Sequence, residues 1–215
     1  MLKTTILLIA LLLGAVGSAL ADGVTYDVSI NTSSIVGTSG SLDFQFNPGP
    51  LVSQSASLQI LNFSSDGTLG TASPFGDVSG TLPGTVLFDN GSAFNDYFTG
   101  FTFGSTISFA VNLFGPAVSS PDGVSTSATS LYFFMFSDPL GANPVLTTDS
   151  VNGIAFSTNI NLDGSTTLTN NSAQSTVTQE GTPVPTPEPA SLLLFGSGLA
   201  GLGMFRKRAS ATPVF

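Results

Sequence analysis

Between residues 24 and 177, apolar side chains recur at every second position rather than every third or fourth. Val24, Tyr26, Val28 and Ile30 alternate with Thr25, Asp27 and Ser29, the pattern of a strand with one buried face. Leu42, Phe44 and Phe46 repeat it and stop at Asn47-Pro48-Gly49-Pro50. Leu58 to Phe63 gives a third strand, ended by Ser65-Asp66-Gly67, and Thr85 to Phe88 a fourth. The fourth leads into Asn90-Gly91, a favoured pair for a type I′ hairpin turn. Tyr97, Thr99, Phe101 and Phe103 alternate up to Gly104, and Ile107, Phe109, Val111 and Leu113 up to Gly115-Pro116. Leu131 to Phe136 is apolar on both faces, as a central strand covered on both sides should be. Asn152-Gly153 offers a second hairpin turn. A long strand from Ile154 to Leu162 follows, closed by Asp163-Gly164. Ser165 to Leu168 and Ser175 to Val177 are shorter candidates.

No segment between Asp22 and Glu180 carries helical periodicity. Nine or ten closely spaced strands predict an all-β domain, a β-sandwich or jelly roll, over residues 22–178. Its core should contain Phe44, Phe101, Phe109, Phe133 and Phe156. The chain has 18 Phe, and each buried aromatic removes about 150–250 Å² from water.

The two ends break the pattern. Lys3 precedes an apolar core from Ile6 to Val16, and Ala19-Leu20-Ala21 forms an A-x-A cleavage site. Residues 1–21 therefore read as a secretory signal helix, directed to Sec-type export machinery and removed before Asp22. At the other end, residues 179–189 form a proline-rich spacer, extended and stiff. An apolar run follows, including Leu192, Leu193, Leu194, Phe195, Gly196, Gly198, Gly201 and Phe205, and then Arg206, Lys207 and Arg208. As a helix, Leu192 to Phe205 spans roughly 21 Å, short of a bilayer core of roughly 30 Å. With Ala190 and Ser191 joining and the long cationic stems snorkelling, a single transmembrane helix over residues 190–208 is feasible. The cations keep its C-terminal end cytoplasmic and stop transfer. Residues 209–215 form a short tail.

Gly196, Gly198 and Gly201 also spell G-x-G-x-x-G. That fingerprint needs a strand–helix–strand unit and an acidic residue about 20 positions on, and no acidic residue follows Gly201. The small residues suit close approach of another membrane helix instead.

Charge narrows the chemistry. The 4 Lys plus Arg are Lys3, Arg206, Lys207 and Arg208, so the exported stretch has 13 acidic residues and no side-chain cation. Nucleic acid and anionic membrane surfaces would repel it. With no His and no Cys in the chain, Ser–His and Cys–His catalysis and His or Cys zinc sites are excluded. Carboxylate-only catalysis is left formally open, but most Asp residues adjoin Gly or Pro, as in Asp66-Gly67, Asp122-Gly123, Asp138-Pro139 and Asp163-Gly164, which is turn chemistry. The expectation is a non-enzymatic protein without cofactors. Calcium is the one metal this inventory suits. Asp89, Asn90 and Asp96 mark the densest oxygen-rich loop, without EF-hand spacing, and a hairpin turn accounts for the same residues.

The tail resembles a known family signal. Pro187-Glu188-Pro189, the Gly-interrupted apolar run and Arg206-Lys207-Arg208 stand in the order of the PEP-CTERM sorting signal. The resemblance covers roughly residues 184–208, and Ala209 to Phe215 extend beyond where such tails usually end. It implies an exported protein of a Gram-negative bacterium that makes exopolysaccharide, processed by an exosortase, a membrane protease and transpeptidase. The precursor would sit in the inner membrane and the product at the cell surface or outside it. The signal leaves the activity of the exported domain open. A structural or matrix protein of a biofilm is one reading, and a carbohydrate-binding jelly-roll module the other. Sugar sites usually expose aromatics, and with no Trp and only Tyr26, Tyr97 and Tyr132 the composition favours the structural reading.

Overall fold

A computed structural model describes residues 23–180. Among them twelve strands form two antiparallel six-stranded sheets. The strands are β1 (Val24–Asn31), β2 (Ser39–Pro48), β3 (Ser57–Ser65), β4 (Thr68–Phe75), β5 (Val78–Gly80) and β6 (Val86–Asp89). They continue with β7 (Asp96–Thr102), β8 (Thr106–Phe114), β9 (Thr129–Phe136), β10 (Phe156–Ile160), β11 (Thr166–Asn170) and β12 (Ser175–Gln179). One short helix, α1 (Pro116–Ser119), lies between β8 and β9. The first sheet runs β12-β1-β8-β3-β6-β5 and the second β11-β10-β9-β2-β7-β4.

The alternation in the sequence becomes the division between core and surface. Tyr26, Val28 and Ile30 of β1, with Ile107, Phe109, Val111 and Leu113 of β8, turn inward from the first sheet. Leu42, Phe44 and Phe46 of β2, with Leu131, Phe133 and Met135 of β9, turn inward from the second. The expected core residues Phe44, Phe101, Phe109, Phe133 and Phe156 are all buried. Their rings touch: Phe44 and Phe133 have centroids 4.7 Å apart, and Phe133 and Phe156 5.2 Å. Each such side chain contributes about 1.5–3 kcal/mol on burial, and the tilted and edge-on contacts add to that.

β9 lies inside the second sheet, between β2 and β10. Phe134 and Phe136 on its outer side are buried as well, because the connection after β9 folds back over them.

Four expectations need correction. Asn90-Gly91 is not a hairpin turn, because β6 lies in the first sheet and β7 in the second. Neither residue adopts the positive φ that a type I′ turn demands. The chain instead crosses between sheets, and the Asn90 side chain is spent on holding that crossing. Asn152-Gly153 does not join β9 to β10 by a tight turn either. The two strands pair, but residues 137–155 connect them, with Gly153 at φ +79° within that connection. The long strand expected from Ile154 to Leu162 is shorter, Phe156–Ile160. The strand count also exceeds the expected nine or ten, because β4 and β5 are mostly exposed and show almost no alternation.

No helix among the described residues is long and apolar enough to cross a membrane. The signal helix and the transmembrane helix both fall outside the described residues.

Candidate functional site

The outward face of the second sheet carries the only carboxyl groups among the described residues that are pushed upward from the ordinary carboxylate range. The β2–β7 and β2–β9 ladders place Phe98 and Phe134 directly opposite Asp43 on either side. The neighbouring row sets Phe75, Asp96, Gln45 and Tyr132 side by side across β4, β7, β2 and β9. Asp43 and Asp96 are thus diagonal neighbours on one face, close enough for side chains to meet. Asp43 is 7% exposed.

Local structure fixes both groups. Asn95, fully buried, donates from Nδ2 to the carbonyls of Phe46 at 2.9 Å and Ser92 at 3.0 Å, and its Oδ1 accepts the Asp77 N–H at 2.8 Å. The Asn47 side chain accepts the Asn95 N–H at 2.7 Å. These bonds set the entry to β7 and hence the place of Asp96. Gln45 donates from Nε2 to Oδ2 of Asp43 at 2.8 Å. The Oδ1 atoms of Asp43 and Asp96 are both buried, and neither has a conventional donor.

Such an arrangement cannot hold two full negative charges cheaply, since no Lys, Arg or His lies between Asp22 and Phe205. Burial, then the hydrogen bond to Asp96 and its charge, push Asp43 up to about 8. Burial also raises Asp96, against the hydrogen bond from Asp43. The two behave as one acid pair holding a shared proton at neutral pH.

The other carboxylates do the opposite. Asp66 receives the Ser105 hydroxyl and the N–H groups of Ser105 and Thr106, which hold it well below the usual range. Backbone N–H groups of Ser125 and Val124 lower Asp122, and the Asn152 N–H chiefly lowers Asp149. The Ser165 hydroxyl and N–H lower Asp163. Partial desolvation opposes ionisation of Asp138, but the N–H groups of Ala142, Asn143 and Leu140 outweigh it. The Asp residues beside Gly and Pro do turn work.

The calcium candidates Asp89, Asn90 and Asp96 are not gathered into one ligand set. Asp89 is exposed at the end of β6, in the first sheet, and accepts from the Ser57 hydroxyl. Oδ1 of Asn90 accepts the Ala56 N–H at 2.9 Å, and Nδ2 donates to the Gln54 carbonyl and Thr129 Oγ1, both at 2.8 Å. Asp96 belongs to the acid pair. No group of three or more Asp, Glu, His or Cys suited to a metal occurs among the described residues.

Asp43 escapes a sequence reading that looks for acids in loops. The available signal was an Asp wedged between Leu42 and Phe44 in a strand, with no Gly or Pro beside it. Two further surface features lie nearby or opposite. Phe75 and Phe94 are exposed, with ring centroids 6.1 Å apart and planes at 48°. On the first sheet an open groove of about 290 Å³ is lined by Asp27, Ser29, Asn62, Ser108 and Thr176 among others.

The acid pair does not resemble the carboxyls of a glycosidase. Those stand about 5–9.5 Å apart, whereas Asp43 and Asp96 are in hydrogen-bonding contact.

The residues picked out in the tail (Pro187, Glu188 and Pro189; Leu192 to Phe205; Arg206, Lys207 and Arg208) and at the signal cleavage site (Ala19 and Ala21) lie outside the described residues. Residues 185–208 match the PEP-CTERM protein-sorting motif. No curated protein and no solved structure matches the chain.

Proposed function

We propose that a chain carrying the PEP-CTERM protein-sorting motif at residues 185–208 is a non-enzymatic surface or matrix protein of a Gram-negative cell, delivered by exosortase-type processing. The carrying observation is that motif, behind a β-sandwich and an N-terminal segment of signal-peptide composition. Sec-type export would place the sandwich outside the inner membrane, with the tail helix holding the precursor there transiently. Pro187 and Pro189 deny the backbone a helical hydrogen-bonding pattern, which presents Glu188 to a processing enzyme before the apolar run begins. Gly196, Gly198 and Gly201 let the tail helix approach the enzyme's own helices. Arg206 to Arg208 hold its depth. The product would be displayed or released among exopolysaccharide.

The winding of the domain supports a jelly-roll reading of the sandwich. The run β1-β8-β3-β6 in one sheet faces β2-β7-β4 in the other, so the early chain changes sheets repeatedly.

The sorting reading is tested by replacing Glu188 with Ala in cells that express the processing enzyme. Full-length precursor should then accumulate in the membrane fraction, while the parent chain loses its tail. Parent protein that still carries Leu192 to Phe205 after export, or a variant processed like the parent, would defeat the reading.

One observation favours carbohydrate binding as a second reading. The exposed Phe75–Phe94 pair adjoins Asp96, Gln45 and Tyr132, combining apolar faces with hydrogen-bonding groups. The two rings are tilted rather than coplanar, so they form no flat platform, and the structural reading stays ahead. Retention of the full-length protein on host exopolysaccharide, lost in Phe75→Ala, would reverse that order.

A further inference from the structure

The connection between β9 and β10 begins with a segment folded down on the acid pair's face. Ser137 N–H donates to the Asn143 carbonyl at 2.9 Å, and Val145 N–H returns to Met135 at 2.8 Å. A bridge between Phe136 and Pro144 closes the fold-back. Asp138 gathers its own turn by accepting from Leu140, Ala142 and Asn143. The segment is fastened to β2 by Ser41 Oγ, which donates to the Asp138 carbonyl at 2.9 Å. Its contact with the sheet is through aromatic rings. A Cβ on Gly141 would stand 3.0 Å from the Phe98 ring and 3.7 Å from the Phe136 ring, and Gly141 sits at φ +74°, a conformation suited to glycine. Phe98 is the residue directly opposite Asp43. Phe136 stacks on Phe134, the residue opposite Asp43 on the other side, at 5.9 Å and 12°.

We infer that residues 137–145 form a proton-controlled lid, which lies closed on the second sheet while Asp43 and Asp96 share a proton and lifts when that proton is lost to solvent. One ring, Phe98, both seats the lid and flanks Asp43, and the other seating ring, Phe136, stacks on Phe134 at Asp43's other side. With the proton in place, the Oδ1 atoms satisfy each other. Without it, two adjacent carboxylates repel, and each needs water as donor. Hydrating the ionised pair would crowd Phe98, which flanks Asp43 in the ladder and lies beneath Gly141. No other group compensates. From β7 the pair meets only Asp96, from β2 only Gln45 besides Asp43 itself, and from β9 Tyr132. Asp138 of the lid turns its carboxylate into its own N–H groups, and no cationic side chain occurs among the described residues. An exported domain meets ambient pH directly, so the device would report the medium rather than the cell.

The test is amide hydrogen exchange of residues 137–145 in the full-length protein in detergent, at pH 6.5 and pH 9, against Asp43→Asn at the same pH. Asn donates permanently to Asp96, so the variant mimics the protonated pair. Exchange should match at pH 6.5 and be about tenfold faster in the parent at pH 9, the ratio that one pH unit past the titration supplies. Asp96→Asn should behave as Asp43→Asn does, and serves if the first variant does not fold. Carbon-13 titration of the parent's Asp carboxyls should show a step above about pH 7. Equal exchange in parent and variants at both pH values, or all carboxyls titrating below about pH 5, overturns the inference. So does a calcium-dependent rise in melting temperature at pH 6.5 that Asp43→Asn abolishes, since the pair would then be a cation site.

Discussion

Phe44 of the second sheet and Phe109 of the first meet edge to face across the sandwich, with ring centroids 5.3 Å apart and planes at 77°. Phe109 also reaches Phe133 at 5.3 Å and Phe156 at 6.2 Å, so one ring joins both sheets. Phe109→Ala leaves a cavity at that junction, and the loss should be about 3–5 kcal/mol. Chemical denaturation of the full chain in detergent, compared with the parent, measures it. A loss below about 1 kcal/mol would show that the two sheets do not depend on this contact.

Asn90 should matter for stability rather than for metal. Its side chain ties the crossing after β6 to Gln54, Ala56 and Thr129. Asn90→Ala strands the Ala56 N–H and the Gln54 carbonyl in part-buried surroundings, at a cost of about 1–3 kcal/mol. Added calcium should not change the melting temperature of parent or variant. A calcium-dependent stabilisation lost in Asn90→Ala would restore the ligand reading.

The two classes of carboxylate give opposite pH dependences. Asp43 is raised to about 8 and Asp96 is raised too. Between about pH 4 and pH 8 the folded pair keeps a proton that the unfolded chain releases. Its contribution is therefore full below the unfolded pKa and lost as pH rises toward 8. Asp66, Asp122, Asp138, Asp149 and Asp163 are lowered, so their contribution is full at higher pH and lost as pH falls below the ordinary carboxylate range. The melting temperature should peak near about pH 4–5 and decline toward pH 8, and the decline should vanish in Asp43→Asn. A melting temperature that rises steadily from pH 5 to pH 8 would contradict this.

The mature chain should begin at Asp22, following the small residues Ala19 and Ala21. N-terminal sequencing of protein recovered outside the inner membrane checks it. Exported protein that begins at Met1 would remove the signal-peptide reading.

The sandwich was legible because most of its strands expose one face and bury the other, and period-2 alternation records that directly. Phe44, Phe101, Phe109, Phe133 and Phe156 could be assigned to the core from spacing alone. Strand β4 was not legible, since it is an edge strand with mostly exposed residues and a register shift between Leu69 and Ala72. Asn90-Gly91 misled for a different reason. The dipeptide fits a local turn, but here Asn90 satisfies non-local backbone groups, and that demand outweighs the local preference. Asp43 was hidden because its character depends on Asp96, more than fifty residues away. Single-residue chemistry contains no trace of a shared proton. The sorting motif was the most legible part, because its information is linear and needs no fold.

Strand β12 gives the sandwich a mechanical direction. It is an edge strand, held by one ladder to β1 from Tyr26↔Gln179 to Ile30↔Ser175, with Glu180 N–H bonded to the Thr25 carbonyl at 2.9 Å beyond it. Because the pair is antiparallel, Val24 and Gln179 lie at the same end of the ladder. Tension between the two chain ends would open this ladder like a zipper, one pair at a time from Glu180 inward, instead of shearing all its bonds together. The β1 end is held by a second ladder to β8, so the domain would yield first at the strand that joins it to its sorting tail, and that strand acts as a fuse lengthening the tether.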